Sequence, residues 1–361
     1  MKRLYSIDTL RGIALAGMLL VNNPGSWSHI YPPFEHAEFI GLTLADLVFP
    51  TFMFVMGLCI PLALRKYSSE NRIEAIRHII LRTILIFGIG LFLQWMSHGF
   101  CAWSELRIPG VLQRLAICYG ICAILTLYFK PKVTVSAGII LLVGYSFLLS
   151  FGNGYEWSET NIISRVDHFL LGANHLYVDN GIRLDPEGIL STLPCITHVL
   201  LGVQIMSEWL RLQSEETDQM VVYKKFSKYI LSFTITTVLI VFLDVYNTIP
   251  VIKKVWSASF VLVTVAIASL LFYALIWLID IKKWSGWWSS FFAIFGRYPL
   301  LLYFISWIMA DLFGEWGITW NVYNSFCKFS SPEMASLLYA ICFVLLHWFI
   351  ALVINIVKDR K

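Results

Sequence analysis

Ten apolar runs, each close to the length that crosses a lipid bilayer, constrain this chain more than any other feature. A transmembrane helix needs about 20 mostly apolar residues to span a hydrocarbon core of about 30 Å. Of the 361 residues, 58% are hydrophobic and 14% are charged, and soluble domains carry about 25% charged residues. The sequence therefore predicts an all-α integral membrane protein with about ten transmembrane helices, in a single polytopic domain over residues 1–361. The runs cover roughly residues 12–24, 42–64, 79–97, 111–129, 133–151, 189–210, 229–247, 256–279, 289–313 and 335–357.

The Lys and Arg residues between the runs predict how the chain lies in the membrane, because short loops rich in these residues stay cytoplasmic. With the N-terminus in the cytoplasm, 18 of the 27 Lys and Arg residues fall on the cytoplasmic side, seven on the outer side, and Arg11 and Arg297 within spans. This bias predicts cytoplasmic N- and C-termini, and the bacterial inner membrane as the location. The basic residues form no single stripe, so we expect no nucleic-acid partner.

Polar residues gather at the predicted outer ends of several spans, where polar groups in a membrane protein are functional candidates by default. We expect them to line one outward-facing pocket between helices. The candidates are Asn22, His36, Asp46, Arg107, Gln113, Arg114, His175, Asp185, Glu187, Lys254 and Trp256.

Structural roles compete with this interpretation. His36 fits a hydrated histidine at the membrane surface, and Arg107 fits a headgroup anchor for the fourth span. The turn from Asp185 to Gly188 is typical of a helix N-terminus, with a capping Asp followed by Pro and Glu.

A second group of candidates lies on the predicted cytoplasmic side. Arginine suits phosphate recognition, so Arg11, Arg77 and Arg82 are candidates for holding a phosphorylated ligand that enters from the cytoplasm. For Arg11 the alternative is a local ion pair with Asp8, three residues earlier on the same helix face.

Motifs typical of soluble enzymes are missing, since the sequence has no Gly-rich phosphate loop, HExxH, paired CxxC or GxSxG. A transporter is the main rival to an enzyme. However, transporters often place charges near the bilayer midplane and contain inverted repeats, whereas the ionisable residues here lie mainly at the two faces. A structural membrane protein is a third possibility.

Several blocks resemble the heparan-alpha-glucosaminide N-acetyltransferase family and follow the family's order. Five of them span about the first half of the chain, and a sixth extends the similarity into the eighth span. They are residues 6–12 (SIDTLRG), 36–50 (HAEFIGLTLADLVFP), 107–114 (RIPGVLQR), 174–177 (NHLY), 185–190 (DPEGIL) and 253–260 (KKVWSASF).

The resemblance implies transfer of an acetyl group from cytoplasmic acetyl-CoA to the amine of a terminal glucosamine on the opposite face. By this resemblance His36 matches the family's catalytic histidine, and Asn22 matches an asparagine beside it. Neutral His36 would take the acetyl group itself or remove a proton from the sugar ammonium. Asn22 would donate a hydrogen bond to the developing oxyanion. The remaining outer candidates would bind the sugar, and the three cytoplasmic arginines would hold the nucleotide end of acetyl-CoA.

Several features remain open from the sequence. The outer connection between the fifth and sixth spans is shorter than in the lysosomal family member, which favours a small amino sugar or a cell-wall glycan fragment as acceptor. Transfer to a sugar hydroxyl and amino-sugar transport remain alternatives. The expected partners are acetyl-CoA, an amino-sugar or glycan acceptor and the lipid bilayer, with a second copy of the chain as a further candidate. No metal ion is expected.

Overall fold

The fold is built from helices joined by irregular segments in the part of the chain that the structure, a computed structural model, describes: residues 4–67, 71–179, 181–245 and 249–359. Within these ranges the backbone forms no β-strand beyond two isolated bridges. The α-helices are α1 (Tyr5–Asn22), α2 (Leu44–Leu64), α3 (Arg72–Ser97), α4 (Val111–Tyr128), α5 (Pro131–Phe151), α6 (Ile162–Leu171), α7 (Thr192–Glu215), α8 (Gln219–Val245), α9 (Ala258–Leu275), α10 (Trp287–Arg297), α11 (Pro299–Glu315), α12 (Ile318–Cys327) and α13 (Pro332–Asp359).

Eight of the described helices are long and apolar enough to cross a membrane, and α10 with α11 makes a ninth if the two form one broken span. The predicted all-α integral membrane fold is confirmed. The first predicted run corresponds to α1, an 18-residue helix that is outside this set because Asp8, Thr9 and Arg11 make its first half polar. Lys2, Arg3, Arg360 and Lys361, which entered the orientation argument, lie outside the described residues.

Two features differ from the predicted runs. The run at 289–313 is two helices that meet at an angle of 81°, because Pro299 begins α11 and cannot continue the hydrogen bonding of α10. The connection from Gly152 to Gly188 is not a simple loop, because it contains α6 and a 3₁₀ turn over Ala173–His175.

The chain divides into two compact units. The first comprises Met1–Ala37, Thr43–Phe52 and Leu271–Lys361, and in it α1 packs chiefly on α10 and α13. A Cβ added at Gly12 would lie 1.7 Å from the Phe292 carbonyl oxygen, and one at Gly296 would lie 1.9 Å from that of Asp8. Only glycine permits this approach of two helix backbones, which is typical of packing inside membranes.

The second unit comprises Glu38–Leu42 and Met53–Leu270. In it α4 packs on α3 and α7, and α7 packs on α5 and α8. The second half of α2 crosses α7 at Gly57 and Gly202, where an added Cβ would lie 2.3 Å from the Val199 oxygen and 2.5 Å from the Phe54 oxygen, respectively.

Candidate functional site

The first unit holds a histidine–carboxylate pair. His36 lies between the 3₁₀ turn Pro32–Phe34 and α2, and its side chain is 40% exposed. Its Nδ1 lies 2.9 Å from Oδ1 of Asp46, which is completely buried in the first turn of α2. The structure thus joins two of the predicted site residues in one contact, between a solvent-facing ring and a buried carboxylate.

Asp46 is held in place by the start of α2. Its Oδ2 accepts hydrogen bonds from the Ala37 N–H (3.1 Å), the Thr43 N–H (3.2 Å) and the Thr43 hydroxyl (3.1 Å). The bond from the Thr43 N–H is half of a capping box, in which an acidic residue three positions into a helix reaches back to the N-cap backbone. The positive end of the helix dipole also favours a carboxylate at this position.

This arrangement determines which ring nitrogen of His36 carries the proton and which has a free lone pair. Because all three donors surround Oδ2, Oδ1 is the oxygen that accepts from His36, and we assign the ring proton to Nδ1 from this partner. Nε2 then carries the lone pair. A carboxylate that orients the imidazole and stabilises its protonated form is the arrangement found in histidine general bases.

Asn22, the other predicted catalytic residue, is the last residue of α1 and is exposed. It belongs to the same unit as His36 and Asp46. No hydrogen bond joins Asn22 to His36 in the described part of that unit, so its proposed role depends on the resemblance.

The second unit holds an ion-pair network around Arg107. Arg107 Nε and Nη2 donate to the two carboxylate oxygens of Asp185 at 2.9 and 2.6 Å, and Nη2 also donates to Glu187 at 2.7 Å. The guanidinium lies 4.9 Å from the ring centroid of Tyr177. Asp185 is fully buried and also accepts the N–H groups of Tyr177 and Glu187, both at 2.9 Å. Three predicted substrate residues are therefore engaged mainly with one another.

The electrostatics of this network favour a permanently charged guanidinium. Burial by itself would lower the pKa of Arg107, but the hydrogen bonds and charges of Asp185 and Glu187 outweigh it and raise the pKa above its ordinary value. Because bidentate arginine–carboxylate pairs are geometrically rigid, the network fixes the turn before α7.

Arg114 and Trp256 lie deeper in the same unit, each 1% exposed. Arg114 Nη2 donates to the Ser191 hydroxyl (2.5 Å) and to the Gly188 oxygen (3.1 Å), and its guanidinium lies 5.6 Å from the Trp256 ring centroid. Gln113 is also buried, at 3% exposure. All three side chains are thus buried in the second unit, and their role in binding the substrate stays a prediction.

His175 and Lys254 complete the predicted outer set. His175 Nδ1 lies 2.6 Å from the Leu106 oxygen, which ties the 3₁₀ turn to the segment before α4. Lys254 donates to Asp179 at 2.7 Å and lies 4.1 Å above the Trp157 ring. Lys254 is one-fifth exposed, so this contact of cation, acid and aromatic ring is accessible from solvent.

The three arginines predicted to hold a nucleotide lie in different environments. Arg11, in the first unit, donates to the Gly296 oxygen at 2.8 Å and to Asp8 at 3.4 Å, so the predicted local pair with Asp8 is present. Arg77 and Arg82 lie on α3 in the second unit, and both are exposed. The Arg82 guanidinium stacks 4.8 Å from the Tyr119 ring centroid.

The second unit also contains a buried carboxylate that was not predicted from the sequence. Asp167, on α6, is fully buried and accepts the Leu190 N–H at 3.0 Å. Burial raises the pKa of the Asp167 carboxyl to about 6, although the Leu190 N–H and the charge of Arg114 oppose the rise. The feature of the sequence that could have identified Asp167 is its position as an acidic residue within the amphipathic segment Ile162–Leu171.

Comparison with known proteins gives two kinds of match. A family described as "Domain of unknown function (DUF5009)" matches residues 3–171. The human protein named heparan-alpha-glucosaminide N-acetyltransferase is 30% identical, with the match covering 79% of this chain and 50% of the human protein. The mouse protein of the same name is 28% identical, with the same coverage of both chains. The chain thus spans about half the length of the relatives that it matches.

Proposed function

Because this chain belongs to the same family as heparan-alpha-glucosaminide N-acetyltransferase, we propose that it is a membrane acetyltransferase that moves acetyl from acetyl-CoA to the amine of a glucosamine-type sugar. The observation that carries the proposal is the pairing of His36 with buried Asp46. In this pair a buried carboxylate orients an exposed imidazole, which is the arrangement that a histidine general base requires.

His36 is proposed to supply the basic group of the reaction. An amine attacks a thioester only when neutral, so Nε2 of His36 removes the ammonium proton and Asp46 stabilises the resulting imidazolium. The amine nitrogen then forms a bond to the acetyl carbon, the carbon–sulfur bond breaks, and the thiolate of CoA leaves and takes a proton. The same Nε2 lone pair can instead accept the acetyl group and pass it to the amine.

Asn22 is proposed to stabilise the negative charge that develops on the acetyl oxygen. Its side-chain amide is a donor, it is exposed, and it belongs to the unit that holds His36. Removal of one such donor typically slows the chemical step about 10²–10³-fold.

The cytoplasmic arginines differ in how well they fit a nucleotide. Arg77 and Arg82 are exposed on α3, so both can meet phosphate groups. Arg11 has its guanidinium engaged by Asp8 and the end of α10. We therefore assign phosphate binding to Arg77 and Arg82, and a structural contact to Arg11.

The outer residues of the second unit are proposed to serve the acceptor sugar. The partly exposed group of Lys254, Asp179 and Trp157 offers charged hydrogen-bonding partners beside an aromatic ring. The Arg107 network is proposed to hold the turn before α7 in shape, with Glu187, its more exposed carboxylate, available to a sugar hydroxyl or ammonium. In this proposal the termini are cytoplasmic and the location is the bacterial inner membrane.

The proposal is tested with purified protein, acetyl-CoA and a panel of acceptors that includes glucosamine, glucose and a glucosamine-terminated oligosaccharide. We expect an acetylated product with glucosamine that resists mild alkali, because an amide survives conditions that cleave an ester. An alkali-labile product on glucose as well would indicate transfer to hydroxyl groups. Movement of labelled glucosamine across vesicles with no acetylated product would replace the enzyme with a transporter.

A further inference from the structure

A mostly irregular segment joins the two proposed catalytic residues within the first unit. Asn22 ends α1, and His36 lies farther along the chain, with the 3₁₀ turn Pro32–Phe34 as the regular structure between them. Helix ends fray, and the carbonyl groups of the last turn have no backbone partner within the helix. The position of the Asn22 side-chain amide therefore depends on what holds the chain immediately after α1.

Ser336, on α13, holds this part of the chain with three hydrogen bonds. Its hydroxyl accepts from the Ser26 N–H and donates to the Ser26 carbonyl oxygen, each at 3.1 Å. Its own carbonyl oxygen accepts from the Gly25 N–H at 3.3 Å. Ser336 is 2% exposed, so its hydroxyl is committed to the segment rather than to solvent. One residue of α13 thus fixes two consecutive residues that closely follow Asn22.

The backbone at Gly25 lies directly against α13 and α12. A Cβ added at Gly25 would lie 3.0 Å from Cβ of Tyr339 and 3.1 Å from both Cα of Ser336 and Cδ2 of Tyr323. Carbon atoms in good contact are about 3.5–4.0 Å apart, so a larger residue would push the segment away from these helices. Gly25 and the Ser336 hydroxyl therefore serve the same contact.

A second contact holds the segment farther from α1. His29 Nδ1 lies 3.3 Å from the hydroxyl groups of both Ser26 and Tyr323. The His29 ring also stacks on the Tyr323 ring, with the centroids 6.4 Å apart. Of the two contacts, the one that Ser336 makes lies nearer to Asn22 in the chain.

We infer that Ser336 is a positioning residue for the proposed acetyl transfer and that it acts through Asn22. By fixing Gly25 and Ser26 on α13, it keeps the last turn of α1 from fraying and holds the Asn22 amide where the acetyl oxygen develops its charge. The inference rests on the proposed function. The effect on rate is expected to be large, because a misplacement of about 1 Å at a catalytic group can cost about 100-fold.

The test measures kcat and both KM values of Ser336→Ala with acetyl-CoA and glucosamine, at a temperature where every variant is folded. Ser306→Ala is the matched control, because Ser306 is 3% exposed in the same unit and its hydroxyl donates within its own helix, to the Tyr303 oxygen at 2.8 Å. We expect kcat of Ser336→Ala to fall about 10- to 100-fold, with both KM values within about twofold of the wild type. Ser306→Ala should keep the wild-type kcat.

Combination with Asn22→Ala separates positioning from a general loss of structure. If Ser336 acts through Asn22, its hydroxyl matters little once the amide is gone, so the double variant should keep the kcat of Asn22→Ala within about threefold. A merely structural role would lower kcat by the same factor in both backgrounds. Gly25→Ala disturbs the same contact without removing a hydrogen-bonding side chain. It should also lower kcat, and its effect should combine with that of Ser336→Ala less than multiplicatively.

Two results would overturn the inference while leaving the proposed function intact. One is a kcat for Ser336→Ala that lies less than about tenfold below that of Ser306→Ala. The other is an equal fall in kcat on loss of the Ser336 hydroxyl with and without the Asn22 side chain. Absence of acetyl transfer by the wild type would instead refute the proposed function, and the inference with it.

Discussion

Replacing Asp46 with Asn is expected to slow the reaction strongly, because it moves the ring proton of His36 from Nδ1 to Nε2. Three donors, two from Thr43 and one from Ala37, surround one oxygen of the Asp46 carboxylate. An asparagine here must turn its carbonyl oxygen toward those donors, so its NH₂ group faces Nδ1 of His36. Nδ1 must then accept, and the ring proton moves to Nε2. Nε2, the nitrogen proposed to take the substrate proton, then carries a hydrogen and has no free lone pair.

The expected loss is roughly 10³–10⁴-fold in kcat, as in serine proteases where the equivalent Asp→Asn change gives the wrong tautomer. This corresponds to about 4–5 kcal/mol of transition-state stabilisation. The fold should tolerate the change, because the amide has nearly the shape of the carboxylate and keeps its acceptor oxygen for the start of α2. We expect a stability cost of about 1–2 kcal/mol, the value of charge-assisted over neutral hydrogen bonds.

The assay measures kcat and both KM values with acetyl-CoA and glucosamine, together with the unfolding temperature in detergent. A Thr43→Val variant is the control, since it removes one donor and leaves the carboxylate and the ring proton in place. Its kcat should fall by less than about tenfold. A folded Asp46→Asn protein that keeps more than a tenth of wild-type kcat would refute the tautomer argument.

Three further predictions concern stability. Arg107→Gln should lower the free energy of unfolding by about 3 kcal/mol, because it leaves buried Asp185 without its cation. Adding Asp185→Asn should recover part of this loss. A further loss of stability in the double variant would contradict this account. Asp167 titrates at about 6 in the folded protein against an ordinary value of 3.8, so stability should fall by up to about 3 kcal/mol as pH rises from about 4 to 6. Asp167→Asn should therefore raise the unfolding temperature more at pH 7.5 than at pH 4.5, and an equal change at both would count against it. Gly12→Leu should lower the free energy of unfolding by about 3 kcal/mol or more, because the new side chain would meet the backbone of α10. Gly88→Leu is the control and should be nearly neutral, because its side chain would meet open space. Equal unfolding temperatures for the two variants would show that α1 and α10 do not pack as described.

The helices were predictable from hydrophobic length, because a chain in lipid must satisfy its backbone hydrogen bonds within each span. The bend between α10 and α11 was harder to predict from the sequence. Pro299 was visible in the sequence, but a proline can either kink a helix or begin one. Tertiary contacts such as the close approach of Gly296 to Asp8 hold α10 in its place beside α1. Such contacts between distant segments leave no local pattern.

The proposed site was predictable in part. The spacing Thr43-x-x-Asp46 is a capping-box pattern and could have identified Asp46 as a residue held at a helix start. Its contact with His36 depends on the path of the intervening loop, which no periodicity describes. Gln113 and Arg114 are both buried in the structure, and the sequence did not predict that burial because it depends on packing between helices.

Asp167 was missed for a further reason. The helix that contains it, α6, has 10 residues, too few to span the membrane. In the sequence, α6 lies in a stretch that is typical of a connection between two apolar runs. The raised pKa of Asp167 arises from burial under the turn that leads into α7, which is a tertiary effect.

Transfer across the membrane through His36 is the central claim, and sided vesicles test it most directly. Labelled acetyl-CoA is confined to the cytoplasmic face and glucosamine to the outer face, with wild type compared against His36→Ala. The account predicts labelled N-acetylglucosamine on the outer side with wild type, and at least about 10³-fold less with His36→Ala at equal protein folding. Equal product from both proteins would contradict it.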